Sequence, residues 1–221
     1  MKAEFWHARW ELNQIGFHQS AINVHLQQFW EQVPAPPGST VFVPLCGKSS
    51  DMLWLRAQGH PVLGVELSPV AVRDFFAENG LEPRISQVGA FERWEHDGLV
   101  ILLGDFFALT VDDVAECGAV FDRASLIALP PDMRPAYAMH MHTLFPTPRP
   151  TLLVTIEYDQ SIAGGPPFSV AAAEVRGYYA ERHQIEVLQT LDVLDDLPGL
   201  KKRGVPAITE TAWLLTDLRA Q

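Results

Sequence analysis

The chain has 221 residues, 48% of them hydrophobic, enough for one large domain with its own core. Its formal charge of -11 repels phosphate backbones and disfavours nucleic acid, and no apolar run approaches the roughly twenty residues that span a bilayer. Two cysteines, Cys46 and Cys117, are too few for a disulfide scaffold, and the start lacks the shape of a signal peptide, so a cytoplasmic protein is expected.

The first segment is aromatic before any strand begins, with Phe5, Trp6, Trp10 and Phe17. A helix is predicted over residues 19–32, with Ile22, Leu26, Phe29 and Val33 on one stripe. That helix accounts for Phe29 but not for Trp10 or Phe17, which lie in a less regular stretch around Gly16. Two roles stay open for them: a lid over a ligand pocket, or a plug at the edge of the core. Pro34-Ala35-Pro36-Pro37-Gly38 ends this segment, leaving a sheet core over residues 39–221 behind a helical lid over residues 1–38.

The stretch Val41-Phe42-Val43-Pro44-Leu45-Cys46-Gly47-Lys48-Ser49 runs from a strand into a glycine turn and then into a helix over residues 52–59. A second strand, Val62-Leu63-Gly64-Val65-Glu66, completes a βαβ unit. Glu66 stands roughly twenty residues beyond Gly47, where an acid at a strand end can accept hydrogen bonds from both ribose hydroxyls of an adenosine. The turn has one glycine where a dinucleotide fingerprint needs three, so a ligand without phosphate is favoured, such as S-adenosylmethionine. An unrelated doubly wound protein shares apolar strands, a turn glycine and acidic strand ends, and on this stretch alone that alternative stays open.

Ser68 and Pro69 open the next helix, which packs through Val72, Phe75 and Phe76. Residues 84–97 carry a weak pattern, a short strand over 85–88 followed by a turn or small hairpin. Leu99-Val100-Ile101-Leu102-Leu103 is a buried strand that delivers Asp105 to the same edge as Gly47 and Glu66. There Asp105 either contacts an adenine amino group or caps the turn that follows. The strand over residues 117–123 ends in Asp122-Arg123, and Arg123 has two roles open to it, a site cation or an ordinary ion pair. Within a helix over residues 132–145, His140 and His142 are two apart and face different ways, so no metal site is read there.

A strand over residues 151–158 leads into Gly164-Gly165-Pro166-Pro167-Phe168, a loop suited to a pocket wall, and a helix over residues 170–182. Strands over residues 183–193 and 208–215 form an antiparallel hairpin at one sheet edge. Between them, Lys201-Lys202-Arg203 is either a solvated turn or a wall that attracts an anionic substrate.

Several separated stretches resemble the thiopurine S-methyltransferase family. They are Trp6-His7-Ala8-Arg9-Trp10 with Gly16-Phe17-His18-Gln19, Pro44-Leu45-Cys46-Gly47-Lys48-Ser49 with Gly64-Val65-Glu66-Leu67-Ser68, Asp122-Arg123 with Ala128-Leu129-Pro130, and Gly165-Pro166-Pro167-Phe168. The resemblance implies a Rossmann-like α/β fold of the class I methyltransferases: a seven-stranded, mostly parallel sheet with a C-terminal antiparallel hairpin and helices on both faces. It implies transfer of a methyl group from S-adenosyl-L-methionine, leaving S-adenosyl-L-homocysteine, to the sulfur of small aromatic or heterocyclic thiols such as thiopurines, without metal.

By the same resemblance Trp10 covers the cofactor, Leu45 lines its methionine end, Glu66 holds its ribose, and Asp105 and Phe106 fall where the family contacts adenine. Arg123 stands between cofactor and acceptor, and Phe17 faces the substrate pocket. Residues 199–209 align poorly with the family. Some bacterial relatives methylate selenium or tellurium species, a detoxifying use of the same site. The alternative of a different class is a non-catalytic sensor of the cofactor. A monomer is expected, with no nucleic acid or membrane partner.

Overall fold

In the computed structural model, which describes residues 3–16, 18, 19 and 21–219, short β-branched and aliphatic runs become the strands of one sheet. They are β1 (Thr40–Val43), β2 (Val62–Glu66), β3 (Arg84–Val88), β4 (Phe91–His96), β5 (Leu99–Leu103), β6 (Cys117–Arg123), β7 (Thr151–Glu157), β8 (His183–Asp192) and β9 (Thr209–Asp217). The helices are α1 (Ala3–Glu11), α2 (Val24–Phe29), α3 (Asp51–Ala57), α4 (Pro69–Glu78), α5 (Ser125–Ala128), α6 (Arg134–Leu144), α7 (Ala172–Tyr179) and α8 (Pro198–Lys202). The strands lie in the order β3-β4-β5-β2-β1-β6-β7-β9-β8.

Side chains alternate across the central strands, so these contribute to two apolar layers. Val41, Val43, Ile101, Phe121 and Val154 pack with Leu26 and Phe29 of α2, Met52 and Leu55 of α3, and Val72 and Phe75 of α4. Phe42, Val65, Leu102, Val120 and Leu153 pack with Tyr137 and Met141 of α6 and Val175 and Tyr179 of α7. Covered on both faces, β2 is buried at all five positions, which is why it reads as a continuous apolar run.

β1 pairs in parallel with β2 on one side and with β6 on the other. The chain therefore works outward from β1 in one direction and then returns to start in the other. At such a reversal the connections diverge and leave a crevice beyond the carboxyl ends of the strands. Val43, Glu66, Leu103 and Arg123 end at that rim. At the far edge β9 runs antiparallel between β7 and β8, the expected C-terminal hairpin.

Among the described residues the sheet has nine strands rather than the expected seven. The two additional strands, β3 and β4, form a hairpin that extends the sheet antiparallel from β5. Gly89, with φ +56°, turns it between Val88 and Phe91. Its signal was weak because β3 is exposed at every residue and no face of it needs to be apolar.

The N-terminal segment also differs. Trp6 and Trp10 lie in α1, a regular helix, and Trp10 is buried. α2 begins later than residue 19 because Asn23 caps it, its side chain accepting from the amides of His25 (3.0 Å) and Leu26 (3.1 Å). A single tight turn, Trp30–Gln32, follows it. Lys201 and Lys202 lie in the short α8, where Lys201 pairs with Asp195, and Arg203 donates to the carbonyl of Gly164.

Candidate active site

The turn between β1 and α3 doubles back sharply: Leu45 has φ +47° and Gly47 φ +54°, both left-handed. A left-handed leucine is uncommon, and here neighbouring contacts hold it in place. The Cys46 amide donates to Val65 O of β2 (3.0 Å), and the Pro44 carbonyl accepts from the buried Ser125 hydroxyl (3.1 Å) beyond β6. Gly64 supplies the room, since a Cβ there would stand 2.7 Å from the Cys46 sulfur.

This turn presents its amides to Glu66. The Gly47 N–H donates to one carboxylate oxygen (2.8 Å) and the Ser68 N–H to the other (2.7 Å). Burial pushes the Glu66 carboxyl above its ordinary pKa, and the amides of Ser68, Gly47 and Leu67 oppose that shift by favouring the charged form. The carboxylate keeps lone-pair capacity for a further donor.

α1 closes over the same turn. His7 Nε2 lies 3.2 Å from the Leu67 carbonyl, tying the helix to the end of β2. The Trp10 indole rests on Gly47, where a Cβ would meet its ring at 3.3 Å. Trp10, Leu45, Gly47 and Glu66 are thus gathered at one place.

Arg123 ends β6, and Ala124, with φ +72°, turns the chain into α5. Its Nη1 donates to Asp51 Oδ2 (3.0 Å) at the start of α3, and its Nη2 to Gln19 Oε1. Asp51 in turn accepts from the Asn23 amide (2.8 Å) and the Ser49 hydroxyl (3.0 Å). Arg123 is therefore tied to the helix that grows out of the glycine turn and to the N-terminal segment.

Asp105 and Phe106 are placed differently. Asp105 is exposed and caps the turn Phe106–Ala108, accepting from the Phe107 amide (3.0 Å). Phe106 is buried, its ring stacked on Tyr137 at 4.9 Å and edge-on to His140 at 5.0 Å. His140 meets the Phe106 carbonyl (3.1 Å), whereas His142 packs against Tyr179 and His183. The loop before α7 is anchored by Phe168 N–H to the Ile127 carbonyl (2.6 Å) and Tyr158 hydroxyl to the Pro167 carbonyl (2.6 Å). Phe17 lies outside the described residues.

Sequence reasoning missed Asp51 and the contact made by Gln19. An aspartate opening a helix reads as an ordinary N-terminal charge, and the partner of Asp51 is 72 residues away. Gln19 stood inside a family-like stretch, which was its only signal.

The fold alone has wide company. A solved S-adenosylmethionine-dependent methyltransferase from Anabaena variabilis superposes with a TM-score of 0.63 at 12% identity, covering 97% of this chain and 94% of that one. The architecture is that of the Rossmann-like class I methyltransferases. Within that class, the profile of the family described as Thiopurine S-methyltransferase (TPMT) matches residues 1–218, and the chain belongs to that family. The thiopurine S-methyltransferase of Pseudomonas entomophila is 50% identical over 98% of this chain and 100% of the relative. That of Nitrosospira multiformis is 48% identical over 97% of this chain and 98% of the relative.

Proposed function

We propose that the chain methylates the sulfur of small aromatic or heterocyclic thiols, thiopurines among them, as one catalytic unit with residues 1–38 covering the core of residues 39–221. The observation that carries the reading is the junction of Trp10, Gly47 and Glu66 in a member of this family. The residues suit an adenosyl sulfonium: a buried carboxylate with lone-pair capacity left for a ribose hydroxyl, and an indole to cover it. S-adenosyl-L-methionine, when bound, supplies an electrophilic methyl group and is left as its homocysteine thioether.

The acceptor sulfur, as thiolate, forms the new C–S bond while the old one breaks, so the acceptor loses its negative charge and the departing sulfur its positive one. Such a displacement needs alignment and exclusion of water more than a strong base. Glu66 and Leu45 hold the donor side, α1 shuts out water through Trp10, and Arg123 offers a permanent cation with donors left over to an anionic acceptor.

Calorimetry with S-adenosyl-L-homocysteine, followed by labelled-methyl transfer to a panel of aromatic thiols, tests the reading. Binding and thiol methylation are expected. Selenite and tellurite in the same panel decide whether chalcogen species share the site. Binding without product from any acceptor would replace the enzyme by a sensor.

A further inference from the structure

A guanidinium is a planar fork, and contacts at two of its nitrogens fix the plane in which the others lie. In this chain those contacts come from two different segments: Asp51 takes Arg123 Nη1 at 3.0 Å, and Gln19 takes Nη2. Asp51 is 1% exposed and also accepts from Asn23 N–H and Ser49 Oγ, so the carboxylate is itself immobilised. It opens α3 directly after the turn that carries Leu45 and Gly47, and it reaches across from the β1 side of the crevice to the end of β6.

A buried ion pair is a poor way to gain stability, because desolvation consumes most of the attraction. One placed at the rim, with the arginine still 13% exposed, has a different use.

We propose that Asp51 is a positioning residue for methyl transfer. Together with Gln19 it locks the Arg123 guanidinium in the plane that offers its remaining N–H donors to the anionic acceptor. Through the Asn23 amide it also ties that plane to the N-terminal cover. Asp51 touches neither donor nor acceptor and acts through Arg123. The inference rests on the thiol-methylating reading above and adds to it which side chain sets the geometry of the acceptor subsite.

The test compares wild type, Asp51→Asn, Asp51→Glu, Arg123→Ala and the Asp51→Asn/Arg123→Ala double variant, each by steady-state methylation of a heterocyclic thiol and by calorimetry with S-adenosyl-L-homocysteine. Asp51→Asn is expected to lower kcat/KM for the thiol about tenfold or more, with the homocysteine Kd within about threefold. Asp51→Glu, which restores the charge, is expected to recover most of the loss. In the Arg123→Ala background Asp51→Asn should change kcat/KM by less than about twofold, because the group it positions is gone.

A folded Asp51→Asn with wild-type thiol turnover overturns the proposal. So does loss of cofactor affinity in step with turnover, or losses from Asp51 and Arg123 that multiply. Should Asp51→Asn not fold, Gln19→Ala at the other contact carries the test: a threefold or larger loss confined to the thiol, absent without Arg123, supports the lock, and no loss overturns it. Wild type that binds no S-adenosyl-L-homocysteine overturns the methyltransferase reading itself, and that is seen before any variant is made.

Discussion

Burial pushes two buried carboxylates near the rim above their ordinary pKa, and they differ in the hydrogen bonds that oppose the shift. Glu66 is met by backbone amides that stabilise its charge. Asp122, on the face of β6 opposite Arg123, is 1% exposed, and burial pushes its carboxyl up to about 6 despite bonds from Tyr137 and Ser125. Since the folded pKa lies above the ordinary 3.8, the favourable contribution of the protonated form is full below pH 3.8 and is lost as pH rises to about 6. His183, which lines one small cavity together with Asp122, runs the other way. Burial lowers its imidazole from 6.5 to about 4, so its contribution is lost as pH falls through that window. The two offset each other. Asp122→Asn keeps the shape and removes the charge, and is expected to stabilise the protein by on the order of 1–3 kcal/mol at pH 7 to 8, with the gain shrinking toward zero near pH 4. Urea unfolding across that range checks it, and a gain independent of pH rules the carboxyl out as the source. At this scale the sequence made the strand-end charges legible, Glu66 and Arg123 among them, because an acid or base closing an apolar run has little reason to be there except a site or a cap. It did not reveal Asp51, whose meaning lies in a partner from a distant strand.

The turn from β1 to α3 shows how an element carries what no single residue does. Its left-handed Leu45 and Gly47 aim successive amides at β2, and α1 seats Trp10 on the space that glycine leaves. Gly47→Ala therefore meets two obstacles, a positive φ that costs an L-residue about 1 kcal/mol and an indole at 3.3 Å. Gly59, at the end of α3, has φ +92° with nothing within 4 Å, so Gly59→Ala brings the backbone cost alone. Gly59→Ala is expected to lose about 1 kcal/mol in denaturant and Gly47→Ala at least as much, whereas only Gly47→Ala is expected to weaken S-adenosyl-L-homocysteine binding, about tenfold by calorimetry. Equal affinities in the two would detach the Trp10 contact from the binding site. The elements around this turn were legible because β1, β2 and β5 are buried on both faces and must be apolar throughout. The β3–β4 hairpin showed only as a faint strand over 85–88 with a turn or small hairpin after it, since an exposed edge strand needs no apolar face, and α1 was not legible, since its apolar spacing is irregular.

For the whole molecule, the sheet places a site where two outward-winding halves meet, and the N-terminal segment closes it through contacts that include His7 to Leu67, Trp10 to Gly47, Gln19 to Arg123 and Asn23 to Asp51. Of the residues of α1 Trp10 is the buried one, whereas whole faces of α3, α4 and α6 lie in the apolar layers under the sheet, so opening of α1 costs less than global unfolding. A ligand gripped between α1 and the rim must then protect both. At a free concentration of about 100 Kd, S-adenosyl-L-homocysteine adds about 2.7 kcal/mol to stability, which for a chain of this length corresponds to roughly 5–10 °C in Tm. Amide exchange should slow most in residues 3–16, with little change in β1, β5 and β7, which already open only by global unfolding. Glu66→Gln keeps the fold but surrenders the charge that the Gly47 and Ser68 amides were arranged to hold, and its Tm is expected to rise far less with the same ligand. A thermal shift in Glu66→Gln equal to that of the parent would place the ligand somewhere other than this rim. Exchange that slows in the strands while residues 3–16 stay unprotected would deny α1 its covering role, even with the ligand bound.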